Sequence, residues 1–211
     1  MNNVQHKTEQ RSERDTTVRR RQELHDRLLA AAEAEIADAG LANLRARSLA
    51  EAVGCSVGAI YGVFPDLDAL ILAVNGRTLD AIDATMRAAG PGRGPADYLA
   101  RLADAYLDYA VGHRHRWSAL FQHQMPEGRP IAPWYAERQV AAFSHVEAPL
   151  GALRPGMTAK KRALLARTLF AAVHGMVELG LTEKVIAMPL PVLREQVRVI
   201  VQAIAKGLTH P

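Results

Sequence analysis

A chain of 211 residues with 49% hydrophobic content has apolar surface enough for one large domain or two small ones, which excludes disorder over most of its length. Its 26 Lys and Arg against 22 Asp and Glu leave a net charge of +4, an excess that permits a nucleic-acid partner without requiring one. The lone Cys55 excludes an internal disulfide and any thiolate cluster for zinc or iron–sulfur chemistry.

The opening residues, MNNVQHKTEQ, hold no apolar run, and no stretch reaches the roughly 18 to 20 uninterrupted apolar residues that span a bilayer. A soluble, cytoplasmic protein without a membrane partner is expected. Residues 1–19 are polar, with Lys7, Arg11, Arg14 and Arg19 interspersed among Glu9, Glu13 and Asp15, and Arg20 and Arg21 following. They read as a flexible basic arm. Such an arm is either a solvated tail or positive charge reaching along a phosphate backbone, and the second needs a DNA-binding unit beside it.

From Gln22 onward Leu24, Leu28, Ala32 and Ile36 fall four apart, with Leu29 and Ala39 in the same stripe, which predicts a helix with one buried face ended by Gly40. Residues 46–65 then predict two short helices. Ser48 caps the first, Gly54 supplies the positive φ of a tight turn, and Ser56 caps the second. Leu49, Ala50 and Val53 before the turn, and Cys55, Ile60 and Val63 after it, form a miniature core with Leu28, Ala32 and Ile36, Ala50 being small where the helices cross. This is the spacing of a helix-turn-helix, although an αα-hairpin with a glycine turn looks similar. Tyr61, Phe64 and Pro65 close the second helix, and Asp66 opens another.

Three glycines and two prolines in residues 90–95 break the chain. Helices are predicted beyond at 97–112, 116–124, 133–153, 158–182 and 191–207, and nothing alternates with the period of a strand. The expectation is an all-α protein of about nine helices without internal repeats.

The stretch from Leu24 to Val74 resembles the DNA-binding domain of the TetR family of one-component bacterial transcription regulators. The likeness rests on the order Leu-Ala-x-x-Val-Gly-x-Ser-x-Gly-x-Ile-Tyr-x-x-Phe-Pro followed by Asp-Ala-Leu. It implies a three-helix DNA-binding domain at 20–75 and a larger ligand-binding and dimerisation bundle at 76–211. It also implies a homodimer that sets two recognition helices in successive major grooves of operator DNA, and a small-molecule ligand that releases the DNA. By position, Ser56, Val57, Ala59 and Tyr61 match the family's DNA-facing sites, with Arg45, Arg47 and Ser48 just ahead. Arg47 is the candidate for a bidentate guanine contact, Val57 or Ala59 for a thymine methyl, and Tyr61 for a phosphate. Val63 and Leu67 stand where family members often carry a His or Tyr and a Lys, so two phosphate contacts are missing. From Arg19 to Asn75 six arginines face eight acids, so Arg19, Arg20 and Arg21 are expected to supply part of the phosphate affinity.

Eight of the 11 aromatic residues fall between 98 and 143. From these Tyr98, Tyr106, Tyr109, Trp117, Phe121, Trp134 and Phe143, with His174 as a hydrogen-bonding partner, are the candidate lining of a pocket for a small apolar or amphipathic ligand. The alternative for each is plain core. His113 and His115 point to different faces of a helix, and neither a metal site nor a cofactor is expected. Residues 169–180 resemble the His-Gly helix of one class of TetR-family C-terminal domains, which implies Gly175 near the ligand or the dimer seam. Leu165, Thr168 and Ala172 on one helix, with Val197, Val201 and Ile204 on the last, form a stripe that either pairs with a two-fold mate or packs within the monomer. No phosphate loop, Gly-x-Ser-x-Gly elbow, His-Glu-x-x-His pair or Cys–His arrangement favours an enzyme, and a helical adaptor that no longer reads DNA is the remaining alternative.

Overall fold

The computed structural model describes residues 2–182 and 188–209, with side chains from residue 14 onward. Nine α-helices and no strand occur among the described residues: α1 (Asn2–Ala39), α2 (Ala46–Val53), α3 (Val57–Val63), α4 (Leu67–Ala89), α5 (Pro95–Gly112), α6 (Arg114–Gln122), α7 (Pro133–Leu153), α8 (Ala159–Leu181) and α9 (Leu190–Thr209).

The first helix corrects the sequence reading. No Gly or Pro interrupts residues 2–39, so the segment assigned to a flexible arm is the N-terminal half of α1. Apolar periodicity reports a buried face, and a solvated helix has none to report. Exposed i,i+4 pairs such as Arg19–Glu23, at 3.6 Å, accompany the helix there. The side chains of Lys7 and Arg11 lie outside the described residues.

Two cores organise the chain. Leu28, Ala32 and Ile36 of α1 meet Leu49 and Val53 of α2, Ile60 of α3, and Leu70 and Val74 of α4, all fully or nearly fully buried. The second core joins α5, α6, α8 and α9 with the C-terminal half of α4, through Leu107, Trp117, Val177, Leu193 and Val197. The division expected at 75/76 falls inside the unbroken α4, which contributes Val74 to one core and Ile82 and Met86 to the other. α8 is by length and composition apolar enough to cross a membrane, yet Ala166, Leu169, Val173 and Val177 are buried in the core.

Helix termini follow local chemistry. Ser56 Oγ accepts from the Ala59 amide at 3.2 Å, and Asp66 Oδ1 accepts from the Ala69 amide at 2.8 Å, capping α3 and α4. Gly54 ends α2 at φ +69° and ψ +45°, the left-handed geometry that the tight turn requires. Ser48 is not the cap of α2. That position belongs to Arg45, and the Ser48 hydroxyl, inside the first turn, lies 2.8 Å from Glu35 Oε1 and 2.9 Å from the Arg45 carbonyl.

The stripe assigned to a dimer seam divides. Val197 and Val201 are buried in the chain's own core, and Leu165 and Ile204 pack at its edge. Only Thr168 and Ala172 of that set are exposed. A Cβ on Gly175 would meet nothing within 4 Å, so no helix approaches closely there within this chain.

Candidate functional site

The outer face of α3 is smooth. Ser56, Val57 and Tyr61 are exposed, the last two at 38% and 48%, with Gly58 and Gly62 between them and Ala59 half-buried. Arg47, one helix earlier, is exposed, and its side chain has no hydrogen bond or ion pair with a described residue. Arg45 is different, because its Nη1 donates to the carbonyls of Ala42 at 2.7 Å and Leu44 at 2.9 Å. Ser48 likewise lies 2.8 Å from Glu35 Oε1, so both side chains have partners within the chain. Arg19, Arg20 and Arg21 are exposed on α1. The α1 face holds the reading unit by Arg27, which donates to the Val53 carbonyl at the end of α2, and by His25, stacked on Phe64 at 4.7 Å.

A cavity of about 200 Å³ opens in the second unit between α4, α5, α6, α7 and α8. Tyr106, Phe121 and Phe143 line it as expected, together with Tyr135 and Phe170. The other wall residues are Leu79, Ile82 and Met86 of α4, Leu120 of α6, and Gln139, Ala142 and Val146 of α7. These had no signature in sequence beyond ordinary helical spacing.

The remaining pocket candidates lie elsewhere. Tyr98 packs at the edge of the core, and Tyr109 is buried with its ring 4.7 Å from His113. Trp134 lies over Gly76 of α4, where a Cβ would come within 2.8 Å of the indole, and it carries the Arg138 guanidinium 5.1 Å from its centroid. Trp117 and His174 stand behind the wall. Trp117 Nε1 donates to Tyr106 Oη at 2.8 Å, and that hydroxyl lies 2.9 Å from His174 Nδ1. Since indole only donates, the tyrosine hydroxyl accepts from Trp117, and the same hydroxyl pairs with the imidazole Nδ1. Burial pushes the Tyr106 hydroxyl well above its ordinary pKa and holds His174 below its own, Glu178 opposing the latter shift.

The helix α6 links cavity and reading unit. Its Phe121 lines the cavity and its Trp117 lies in the second core, while Ala119, fully buried, belongs to the first core and accepts from Asn75 Nδ2 at 3.3 Å. Arg116 of the same helix reaches Glu33 of α1 at 2.8 Å, and Arg77 of α4 holds the other oxygen of that carboxylate at 2.9 Å. His115 Nδ1 lies 3.1 Å from the Ala37 carbonyl, and His123, just beyond α6, lies 3.1 Å from Asp68 of α4. Partners this far apart in the chain left no mark in the sequence.

Comparison with known proteins agrees with this layout. Residues 28–74 match the family model for bacterial regulatory proteins of the tetR family, and residues 99–204 match the tetracyclin repressor-like C-terminal domain. A Mycobacterium tuberculosis protein described as an uncharacterized HTH-type transcriptional regulator is 30% identical over 143 residues, covering 68% of this chain and 63% of that protein. A Rhodococcus sp. RHA1 protein of unknown function superposes with a TM-score of 0.70 at 23% identity, covering 89% of this chain and 96% of its own. RolR, solved with resorcinol, superposes with a TM-score of 0.64 at 15% identity, covering 92% of this chain and 96% of its own. With its helix-turn-helix ahead of a helical second domain, the chain belongs to the TetR family of bacterial transcriptional regulators.

Proposed function

We propose that the protein is a cytoplasmic one-component repressor that binds operator DNA as a homodimer and lets go when a small molecule fills the cavity between α4 and α8. The observation that carries this is the double membership of α6, whose Phe121 lines the cavity and whose Ala119 is built into the core beneath the DNA-reading helices. A ligand that displaces Phe121 acts on a helix that the reading unit cannot ignore, and coupling of 1 to 3 kcal/mol is typical for such linkage. The dimer face is the outward side of α8 and α9, where Leu164, Leu179, Val192, Val199 and Ile200 are exposed beside Thr168 and Ala172. Arg47 reads a base, Tyr61 meets a phosphate, and Arg19, Arg20 and Arg21 on the extended α1 add backbone affinity.

The test is equilibrium binding of the purified chain to the duplex upstream of its own gene, against a scrambled duplex, at two salt concentrations. Tight, selective binding that weakens with salt is expected. Arg47→Ala should relax selectivity by about 1–3 kcal/mol, and Tyr61→Ala should weaken all duplexes alike. Equal binding to both duplexes by the unaltered chain overturns the reading, and a monomer by light scattering at micromolar concentration overturns the dimer.

A further inference from the structure

We infer that the cavity takes an uncharged molecule made of a flat ring with one hydrogen-bonding substituent and a short apolar chain, an inference that rests on the cavity's being the effector site. Three features of the wall lead there.

The first is charge. Among the described residues, no Lys, Arg, His, Asp or Glu lines the cavity. The two arginines that adjoin wall residues in sequence are engaged elsewhere: Arg138, next to Gln139, pairs with Asp80 at 2.8 Å and lies over Trp134, and Arg87, next to Met86, pairs with Asp83. A carboxylate or an ammonium inside would lose its hydration without gaining a counter-ion.

The second is the placement of the few polar groups. Tyr106 offers the cavity only its ring, since its hydroxyl is committed to Trp117 and His174. Tyr135 and Gln139 stand one turn apart on α7, both line the cavity, and neither side chain has a hydrogen bond to a described residue. Burial alone raises the Tyr135 hydroxyl above its ordinary pKa, so it stays protonated at neutral pH. A phenolic hydroxyl and a primary amide together provide donors and acceptors without net charge, the complement of a hydroxyl, carbonyl or amide on the ligand.

The third is shape. Phe170 is met edge-on by Tyr106 at 5.5 Å and by Phe143 at 5.4 Å, and Phe121 stacks beside it at 6.4 Å, an aromatic corner suited to another ring. Behind it is a second, smaller cavity of about 40 Å³. Met86, Tyr106, Val146 and Phe170 line both, so these four side chains form the neck between them. Beyond the neck the wall is wholly apolar and includes Val173 and Val201. Met86, unbranched and adaptable, is the side chain best able to give way to an entering chain.

The probes are 4-alkylphenols from methyl to butyl and the 4-alkylbenzoates of matching length, measured by calorimetry on the full chain at pH 7. Phenol affinity should rise about fourfold for each added carbon, and each benzoate should bind at least about tenfold more weakly than its phenol, its charge having no partner. Gln139→Leu should weaken every phenol about fivefold, the worth of one hydrogen bond, and leave the dependence on chain length unchanged. Val173→Phe, which fills the small chamber, should flatten that dependence; should this variant not fold, the slope in the unaltered chain decides. Benzoates that match the phenols, or no gain with chain length, overturn the inference. Release of operator DNA is read in parallel. Phenols that bind as described without releasing DNA support the ligand class and remove the effector reading, whereas DNA release by other compounds with no binding of the phenols overturns the class and leaves the sensor standing.

Discussion

The Trp117–Tyr106–His174 chain makes a sharp prediction for Tyr106→Phe. The substitution keeps the ring, which lines both cavities, and removes only the hydroxyl oxygen. Trp117 is 1% exposed, so its Nε1–H, which now donates at 2.8 Å, is left buried without an acceptor. Such an orphan costs about 1–3 kcal/mol. His174, only partly buried, also loses its 2.9 Å partner, but the imidazole can recover water and adds little. The sum is about 1–3 kcal/mol, or roughly 2–12 °C in Tm for a chain of this size. Differential scanning calorimetry of the two proteins measures it. A double-mutant cycle with Trp117→Phe isolates the pair: once the indole N–H is gone, losing the tyrosine hydroxyl should cost about 1–2 kcal/mol less. A Tm change under about 2 °C, or a cycle with no coupling, would refute the buried Trp117–Tyr106 hydrogen bond.

Other perturbations test separate links. His174 is held below its ordinary pKa in the folded chain, so its contribution to stability is full above about pH 6.5 and is lost as the pH falls toward the depressed value, where the unfolded chain binds a proton that the folded one refuses. Thermal unfolding of His174→Phe from pH 8 to 5 should lack that decline, and parallel curves for the two proteins would sink the assignment. Gly54→Ala meets nothing within 4 Å, so its cost is backbone strain alone, about 1–2 kcal/mol by chemical denaturation; a neutral result would mean that the turn is not left-handed there. Glu33→Gln removes the carboxylate shared by Arg77 and Arg116 and should lower stability by about 1–2 kcal/mol. The same variant should shrink the ratio of operator affinities without and with a cavity ligand, and an unchanged ratio would show that this contact does not transmit binding.

Hydrophobic spacing located the helices beyond residue 90 to within a few residues, because each buries one face and breaks at Gly or Pro. It failed on residues 2–19, which form a helix although their sequence carries no apolar stripe. It also could not divide α9: Val197 and Val201 turn inward while Val199 and Ile200 turn out, and a stripe of apolar residues carries no label saying whether its cover is the same chain or another. The cavity was half legible. Aromatic crowding pointed to Tyr106, Phe121 and Phe143, but Leu79, Ile82 and Met86 look like any buried helix face until α4 is seen to form part of the wall. Ser48 and Arg45 had the right residue types beside a helix start, and local carbonyls and Glu35 claimed them first.

The intrusion of Ala119 into the first core sets where the protein can be cut and rejoined. A chimera spliced at the glycine–proline loop of residues 90–95 would strip α6 from the DNA-reading unit and leave the face of Leu70 and Val74 to a stranger's helix. The transferable cassette is therefore α1 to α6, and it brings Leu120 and Phe121, part of the cavity wall, with it. Exchange of operator preference between relatives by recombination thus carries along a share of ligand preference, and only substitutions confined to the outer face of α2 and α3 alter one without the other.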